Sequence, residues 1–228
     1  MRYLSLLILL GALHPGVPSA HVHDKNGPWV RVYNATRSDP PVNLDIVFDD
    51  AIVGSGVASR TLIGPFTPKD RKGGKISIRK QNSTEELLGL PVDTTENNHV
   101  VVVMGDTNQG LDYADLPMNI APPSNGQPQL GLVSLIPKDV VGDDVDIYVM
   151  KADDDMGTRM PDVRSLAFKG SSTVTIAPGT YSIAITKAGA KDILFKSEPF
   201  TTKVLGRTAA LLISGSSGNP RRVVIVNL

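Results

Sequence analysis

Residues 180–187 alternate apolar and polar side chains between two chain-reversal signals, and that pattern leaves few folds open. Tyr181, Ile183 and Ile185 fall on one side of an extended chain, Ser182, Ala184 and Thr186 on the other. This is the period of a half-buried strand. Pro178-Gly179 precede it and Ala188-Gly189-Ala190 follow it. Proline pre-sets one turn angle, and glycine takes the positive one that a type II turn requires. Residues 172–200 therefore read as three antiparallel strands, with the Ser182 face toward solvent.

The same punctuation runs through the first half. Strands are expected at residues 29–34, 43–48, 51–53, 60–66, 75–80, 86–92 and 99–104. Turn residues separate them: Thr36 to Pro41, Asp49-Asp50, Pro68 with Gly73-Gly74, Gln81-Asn82-Ser83, and Glu96-Asn97-Asn98. No stretch shows helical spacing over a useful length, and short strands at regular intervals indicate a β-sandwich. Pro117, Pro122, Pro123 and Pro128 then break the pattern, as proline removes ladder donors. They mark a linker, whose first residues 113–120 could still pair as an edge strand.

Beyond the prolines the order repeats. Residues 130–135 correspond to 29–34, 145–149 to 44–48, 180–187 to 75–80, Pro199 to Pro91, and 208–213 to 100–104. The offset drifts upward from about one hundred residues, which places an insertion at residues 149–163. The expected fold is all-β: two tandem antiparallel β-sandwich (Ig-like) domains at residues 27–112 and 130–228, joined by a Pro-rich linker at 113–129.

The N-terminus predicts export. Arg2 precedes the apolar run Leu4 to Leu13, which His14-Pro15-Gly16 ends; the run suits a signal peptide and is too short to span a bilayer. Small residues from Val17 to Ala20 offer cleavage after Ser19 or Ala20, so residues 1–20 read as a signal peptide. The mature chain has no transmembrane segment by this reading and belongs in the periplasm or outside the cell. There is no cysteine, which excludes zinc-thiolate sites and thiol nucleophiles. The 23 basic and 23 acidic residues cancel, so no charge footprint points to nucleic acid or to an anionic membrane.

Several motifs resemble the bacterial secreted family known as domain of unknown function 4397. They are the strand Val30 to Asn34 with the turn Ser38-Asp39-Pro40-Pro41, the strand Asp146-Ile147-Tyr148-Val149, the hairpin Val174 to Tyr181 with Thr186 to Gly189, and the closing strand after Gly206. The first half departs from the pattern at residues 67–74. The resemblance implies an extracytoplasmic β-sandwich, in two copies, with no catalytic residues to carry over. The opening of the first half is also weakly similar to a periplasmic accessory protein of alginate acetylation.

Catalytic and metal motifs are sparse. Cleavage after Ala20 would leave His21-Val22-His23 at the N-terminus. A free amine, two peptide nitrogens and the third-position imidazole then suit square-planar Cu(II) or Ni(II), so His21 and His23 are the candidate metal ligands. Asp39, Asp45, Asp139, Asp143, Asp144 and Asp146 gather at equivalent turns of both halves and are candidates for Ca(II), although Asp is also a common turn residue. His99 reads as a solvated strand-edge residue and Asp153 to Asp155 as a solvated loop. Ser77 and Lys80 match a Ser-x-x-Lys spacing, but a strand would turn them to opposite faces and the motif needs a helix. Gly54-Ser55-Gly56 is better read as a turn than as a nucleotide fingerprint. The sequons at Asn34 and Asn82 matter only in a glycosylating host. The expectation is a non-enzymatic, exported protein that binds an envelope protein or glycan through its loops, or acts as a spacer. The alternative is a periplasmic accessory of exopolysaccharide acetylation or export.

Overall fold

The β-branched runs of the first half pair into two sheets. The computed structural model describes residues 28–68, 72–95, 97–119, 127–136 and 144–202, and the backbone alone of 207–213 and 222–227. One sheet has the order β4 (Leu62–Phe66), β1 (Val30–Asn34), β7 (Asn97–Asp106), β8 (Gly110–Asn119). The other has β3 (Ala51–Val57), β2 (Leu44–Phe48), β5 (Gly73–Lys80), β6 (Glu86–Asp93). Alternation selects the facing side chains: Val30, Val32, Val101 and Val103 meet Leu44, Ile46, Phe48, Ile76, Ile78 and Leu90 in one buried cluster. Each such side chain contributes about 1.5–3 kcal/mol when fully buried.

The second half follows the same order strand for strand. One sheet runs β12 (Ser171–Thr175), β9 (Gln129–Leu135), β16 (Arg207–Ile213), β17 (Arg222–Asn227). The other runs β11 (Val163–Leu166), β10 (Val145–Met150), β13 (Gly179–Lys187), β14 (Ile193–Lys196), and β15 (Phe200–Thr202) also pairs with β13. β9 is parallel to β16 as β1 is to β7. The protein is thus all-β and multi-sheet, two sandwich-like halves in tandem; no sheet closes into a barrel, and every regular element among the described residues is a strand.

Three local expectations change. Residues 172–200 do not form one three-stranded unit: β12 pairs with β9 in the opposite sheet, and the Ala177-Pro178 corner carries the chain across. Tyr181 locks that corner, its hydroxyl donating to the Ala177 carbonyl at 2.8 Å. The returning strand is split into β14 and β15, because Ser197 hooks β13 with its own side chain, Oγ accepting from the Ile183 N–H at 2.8 Å. Second, the Ser182 face is not solvated. Ser182, Ala184 and Thr186 are all buried, so β13 is covered on both sides. Third, the first residues of the stretch read as a linker take the edge-strand option: β8 covers residues 113–119, in a ladder with β7 from Asn97↔Asn119 to Asp106↔Gly110. Pro117 is tolerated because β8 is an edge strand with one side free of ladder bonds.

The outer face of the β1–β7–β8 sheet is also covered. Trp29, Tyr33, Val100, Val102, Ala114, Leu116 and Met118 form one buried cluster with Val133 and Leu135 of β9. Gly131 makes room for it, since a Cβ there would lie 2.8 Å from Leu116 Cδ2. Lys169 and Asp112 form an ion pair between the halves. The two halves therefore dock sheet to sheet. This explains the unbroken run Val100 to Val103, in which all four valines are fully buried: a strand covered on both faces loses its alternation.

Candidate functional site

Asp45 and Asp146, two of the candidate calcium ligands, occupy the same place in the two halves and do the same work. Each sits one residue into its strand, β2 or β10, and each is buried. Asp45 accepts from Gly56 N–H and the Ser55 hydroxyl on one oxygen and from Asn82 N–H on the other, all at 2.9 Å. Asp146 accepts from Ser165 N–H and Gly189 N–H, one on each oxygen, both at 2.8 Å. All four backbone donors belong to residues with positive φ: Gly56, Asn82, Ser165 and Gly189. Gly56 and Ser165 lie opposite the aspartates in the register breaks between Leu44 and Ile46 and between Val145 and Ile147. In each half one carboxylate ties a bulge on one neighbouring strand to the turn after the other. Both oxygens are committed to peptide donors, so these two aspartates serve as anchors rather than as calcium ligands.

Burial by itself would raise the Asp45 carboxyl. The Gly56 and Asn82 N–H groups, the Ser55 hydroxyl and the nearby Arg79 charge outweigh that and hold it below the usual carboxylate range. Gly54-Ser55-Gly56 is thus part of a bulge that receives this anchor.

The halves diverge in the next connection. β2 turns into β3 through Asp49-Asp50, both in the left-handed region with φ 48° and 66°, the geometry of a two-residue hairpin. β10 reaches β11 only after residues 151–162. This loop is braced throughout. Arg159 forks between Asp154, at 2.7 Å, and Asp162, at 3.2 Å. Asp154 also accepts from Lys151 N–H at 2.8 Å, and Asp162 from Val149 N–H at 2.7 Å. Lys191 reaches in from the β13–β14 connection, donating to the Met156 carbonyl at 3.0 Å and to the Arg159 carbonyl. Its ammonium lies 5.1 Å from the centre of the Tyr148 ring. Beneath the loop, Tyr148, Met150 and Ala184 are buried, with Met156 packed on them. The insertion therefore closes a second small core, while the tip expected to be solvated is so at two of its three aspartates. Asp153 and Asp155 remain exposed, as does Met160 at 65 %. The drift in the repeat offset located this loop; the Arg159 fork and the Lys191 tether left no mark in the sequence pattern.

The other candidates fall as follows. His21, His23, Asp139 and Asp143 lie outside the described residues. Among the described residues no group of three or more His, Cys, Asp or Glu side chains could hold a metal. Ser77 is buried and donates to Glu86, which also pairs with Lys75 at 2.9 Å, whereas Lys80 reaches Asn108 at 3.4 Å, so the two members of the Ser-x-x-Lys match have separate partners. Asn34 is fully buried, donating to the Val57 carbonyl and accepting from Thr36, which closes that sequon to modification in the folded chain. His99 is not a solvated edge residue. It is buried, with Nδ1 2.8 Å from Asp115 and Nε2 2.7 Å from the Asp93 carbonyl oxygen.

None of the described aromatic rings is exposed: Trp29, Tyr33, Phe48, Tyr148 and Tyr181 are buried, and Phe66, Tyr113, Phe168, Phe195 and Phe200 are partly covered.

These features define an all-β protein of two docked, sandwich-like halves, with no catalytic constellation assembled among the described residues. No family model matches the chain, and no curated protein matches it. Among solved structures it is similar to a family 26 carbohydrate-binding module from Eubacterium rectale Amy13K, determined in complex with maltoheptaose. The two are 10 % identical over 88 % of this chain and 97 % of that one, with a TM-score of 0.30. A likeness that distant assigns no ligand to this chain.

Proposed function

We propose that the chain is an exported, non-catalytic protein of the bacterial periplasm or cell surface that binds a partner through residues 151–162. The observation that carries this reading is the loop itself. Among the described connections it is the largest departure of the second half from the first. It is held rigid by ion pairs and a cation–π contact, yet it keeps Met160 exposed. Recognition resides on loops positioned by a rigid scaffold, and pre-organisation lowers the cost of binding. Among the described residues, three large hydrophobic side chains are notably exposed: Ile52 at 48 %, Met160 at 65 % and Ile193 at 49 %. Met160 belongs to the loop, and Ile193 lies two residues from its Lys191 tether.

The leader read in residues 1–20 supports export. The motifs that resemble domain of unknown function 4397 agree with an extracytoplasmic role, and the Tyr181 hydroxyl lock at a sheet-crossing corner agrees with an Ig-like arrangement of the second half. The test is capture from envelope extract and binding to a glycan array, with wild type and Met160→Asp compared. The expected result is retention of an envelope protein by wild type and its loss with Met160→Asp. Equal retention by both, or retention by neither, overturns the assignment to this loop.

A further inference from the structure

His99 lies where two edge strands of opposing sheets meet. β8 ends the first sheet and β6 ends the second. The His99 side chain shares the inward face of β7 with Val101 and Val103 and is only 8 % exposed. Asp115 approaches its Nδ1 from β8, and the Asp93 carbonyl approaches its Nε2 from the end of β6. Both partners are acceptors. A neutral imidazole has one N–H and would leave one acceptor facing a lone pair, whereas an imidazolium satisfies both. The contacts therefore require the doubly protonated ring.

We propose that His99 is a proton-operated clasp on the β6–β8 seam, closed while the imidazole carries its charge and loosened when the charge is lost. The charges acting on it are Asp115 from β8 and, more weakly, Asp93 from β6. Just before β1 the group in contact is backbone: the Trp29 carbonyl, which accepts from the His99 N–H at 3.0 Å. Arg31 stacks 5.6 Å from the Trp29 ring, in the layer between the halves rather than beside the imidazole. Burial opposes the charged ring, but the hydrogen bond and charge of Asp115 and the Asp93 carbonyl outweigh it, so His99 titrates above the ordinary histidine value. The raised folded-state value fixes the sign. The clasp contributes fully below the unfolded histidine value and is lost as pH rises through the folded one.

The seam covers part of the first core. Leu87, Leu88, Leu111 and Tyr113 from β6 and β8 pack on it, so loosening would expose apolar edge strands to a partner. Trp29, the single tryptophan, is joined to β7 by the His99 N–H and by its own N–H to Asn98 Oδ1 at 2.9 Å. It is a built-in reporter.

The test is an NMR titration of the imidazoles of wild-type protein, read with amide exchange along β6 and β8. The expected result is one imidazole titrating above the range of the flexible ones. It should carry both N–H protons below its titration, and β8 amides should exchange about ten-fold faster across that titration, the factor for ~1.4 kcal/mol. Trp29 fluorescence should follow the same curve, and Asp115→Asn should move that curve to lower pH. A His99 signal that titrates at or below the ordinary value, or β8 exchange that ignores it, overturns the proposal. Because the wild type carries the titration, the outcome does not depend on a His99 variant that folds.

Discussion

In the first half β2 turns into β3 through Asp49-Asp50; in the second the equivalent strands β10 and β11 are joined by residues 151–162. The strand that precedes each turn is anchored identically, Asp45 and Asp146 each receiving one N–H from a neighbouring bulge and one from a neighbouring turn. What both halves keep is therefore the means of holding strands in register. What they do not share is an element with no counterpart, built over its own small core of Tyr148, Met150 and Ala184. Carboxylates that looked like metal ligands belong to the shared part, and the region free to acquire a specific surface is the inserted loop.

The comparison breaks most severely in the cores. Ile76 of β5 faces Phe48, and Ile183 of β13 faces Val149. Both isoleucines are fully buried. Ile76→Asp and Ile183→Asp should each cost more than about 4 kcal/mol, read as loss of the folded baseline in chemical denaturation. Because the halves share the cluster from Trp29 to Leu135, the wild type should melt in a single transition. Two well-separated transitions would show that the seam does not couple them. Ser182→Asp, on a face expected to be open, should also be strongly destabilising, because it buries a carboxylate without a partner.

Asp45→Ala and Asp146→Ala come next. Each strands two backbone donors at a bulge and a turn and should cost about 2–3 kcal/mol, to a similar extent in the two halves. Unequal costs would mean that the anchors are not equivalent. Acid sharpens the Asp45 case. A carboxyl held below its unfolded value contributes above that value and is lost as pH falls through the folded one. The stability difference between wild type and Asp45→Asn should therefore be full at neutral pH and shrink in acid, measured as denaturation midpoints across pH.

The smallest effect on stability is expected in the loop. Arg159→Met removes the fork to Asp154 and Asp162, both partly exposed, and should cost about 1 kcal/mol or less. The same change should raise proteolytic nicking within residues 151–162 and leave the Asp49-Asp50 hairpin untouched. Nicking that does not change would show that the fork is not what orders the loop.

Much of this arrangement was legible in the chain. Alternation placed β2, β5, β10 and β13, and Asp49-Asp50 announced its hairpin, because strand faces and tight turns are set by neighbours along the sequence. Partners were less legible. Residues 171–175 look like the first arm of a hairpin with β13, but pairing depends on where the Pro178 corner sends the chain. Residues 99–104 were legible as a strand, but nothing local shows that the second half covers the Val100 to Val103 run on its outer face. His99 looked like an edge residue because its partners, Asp93 and Asp115, arrive from two other strands. The aspartates were found as a group by their repeated position, but their donors are backbone amides in left-handed conformation, which residue type alone does not reveal.

The most direct test of the shared anchor is residue-resolved amide hydrogen exchange at Gly56, Asn82, Ser165 and Gly189, with and without calcium. If Asp45 and Asp146 hold the backbone as described, all four amides are protected, to a comparable degree in the two halves, and calcium or a chelator changes nothing. Rapid exchange at these positions, or protection that appears only when calcium is added, would contradict it.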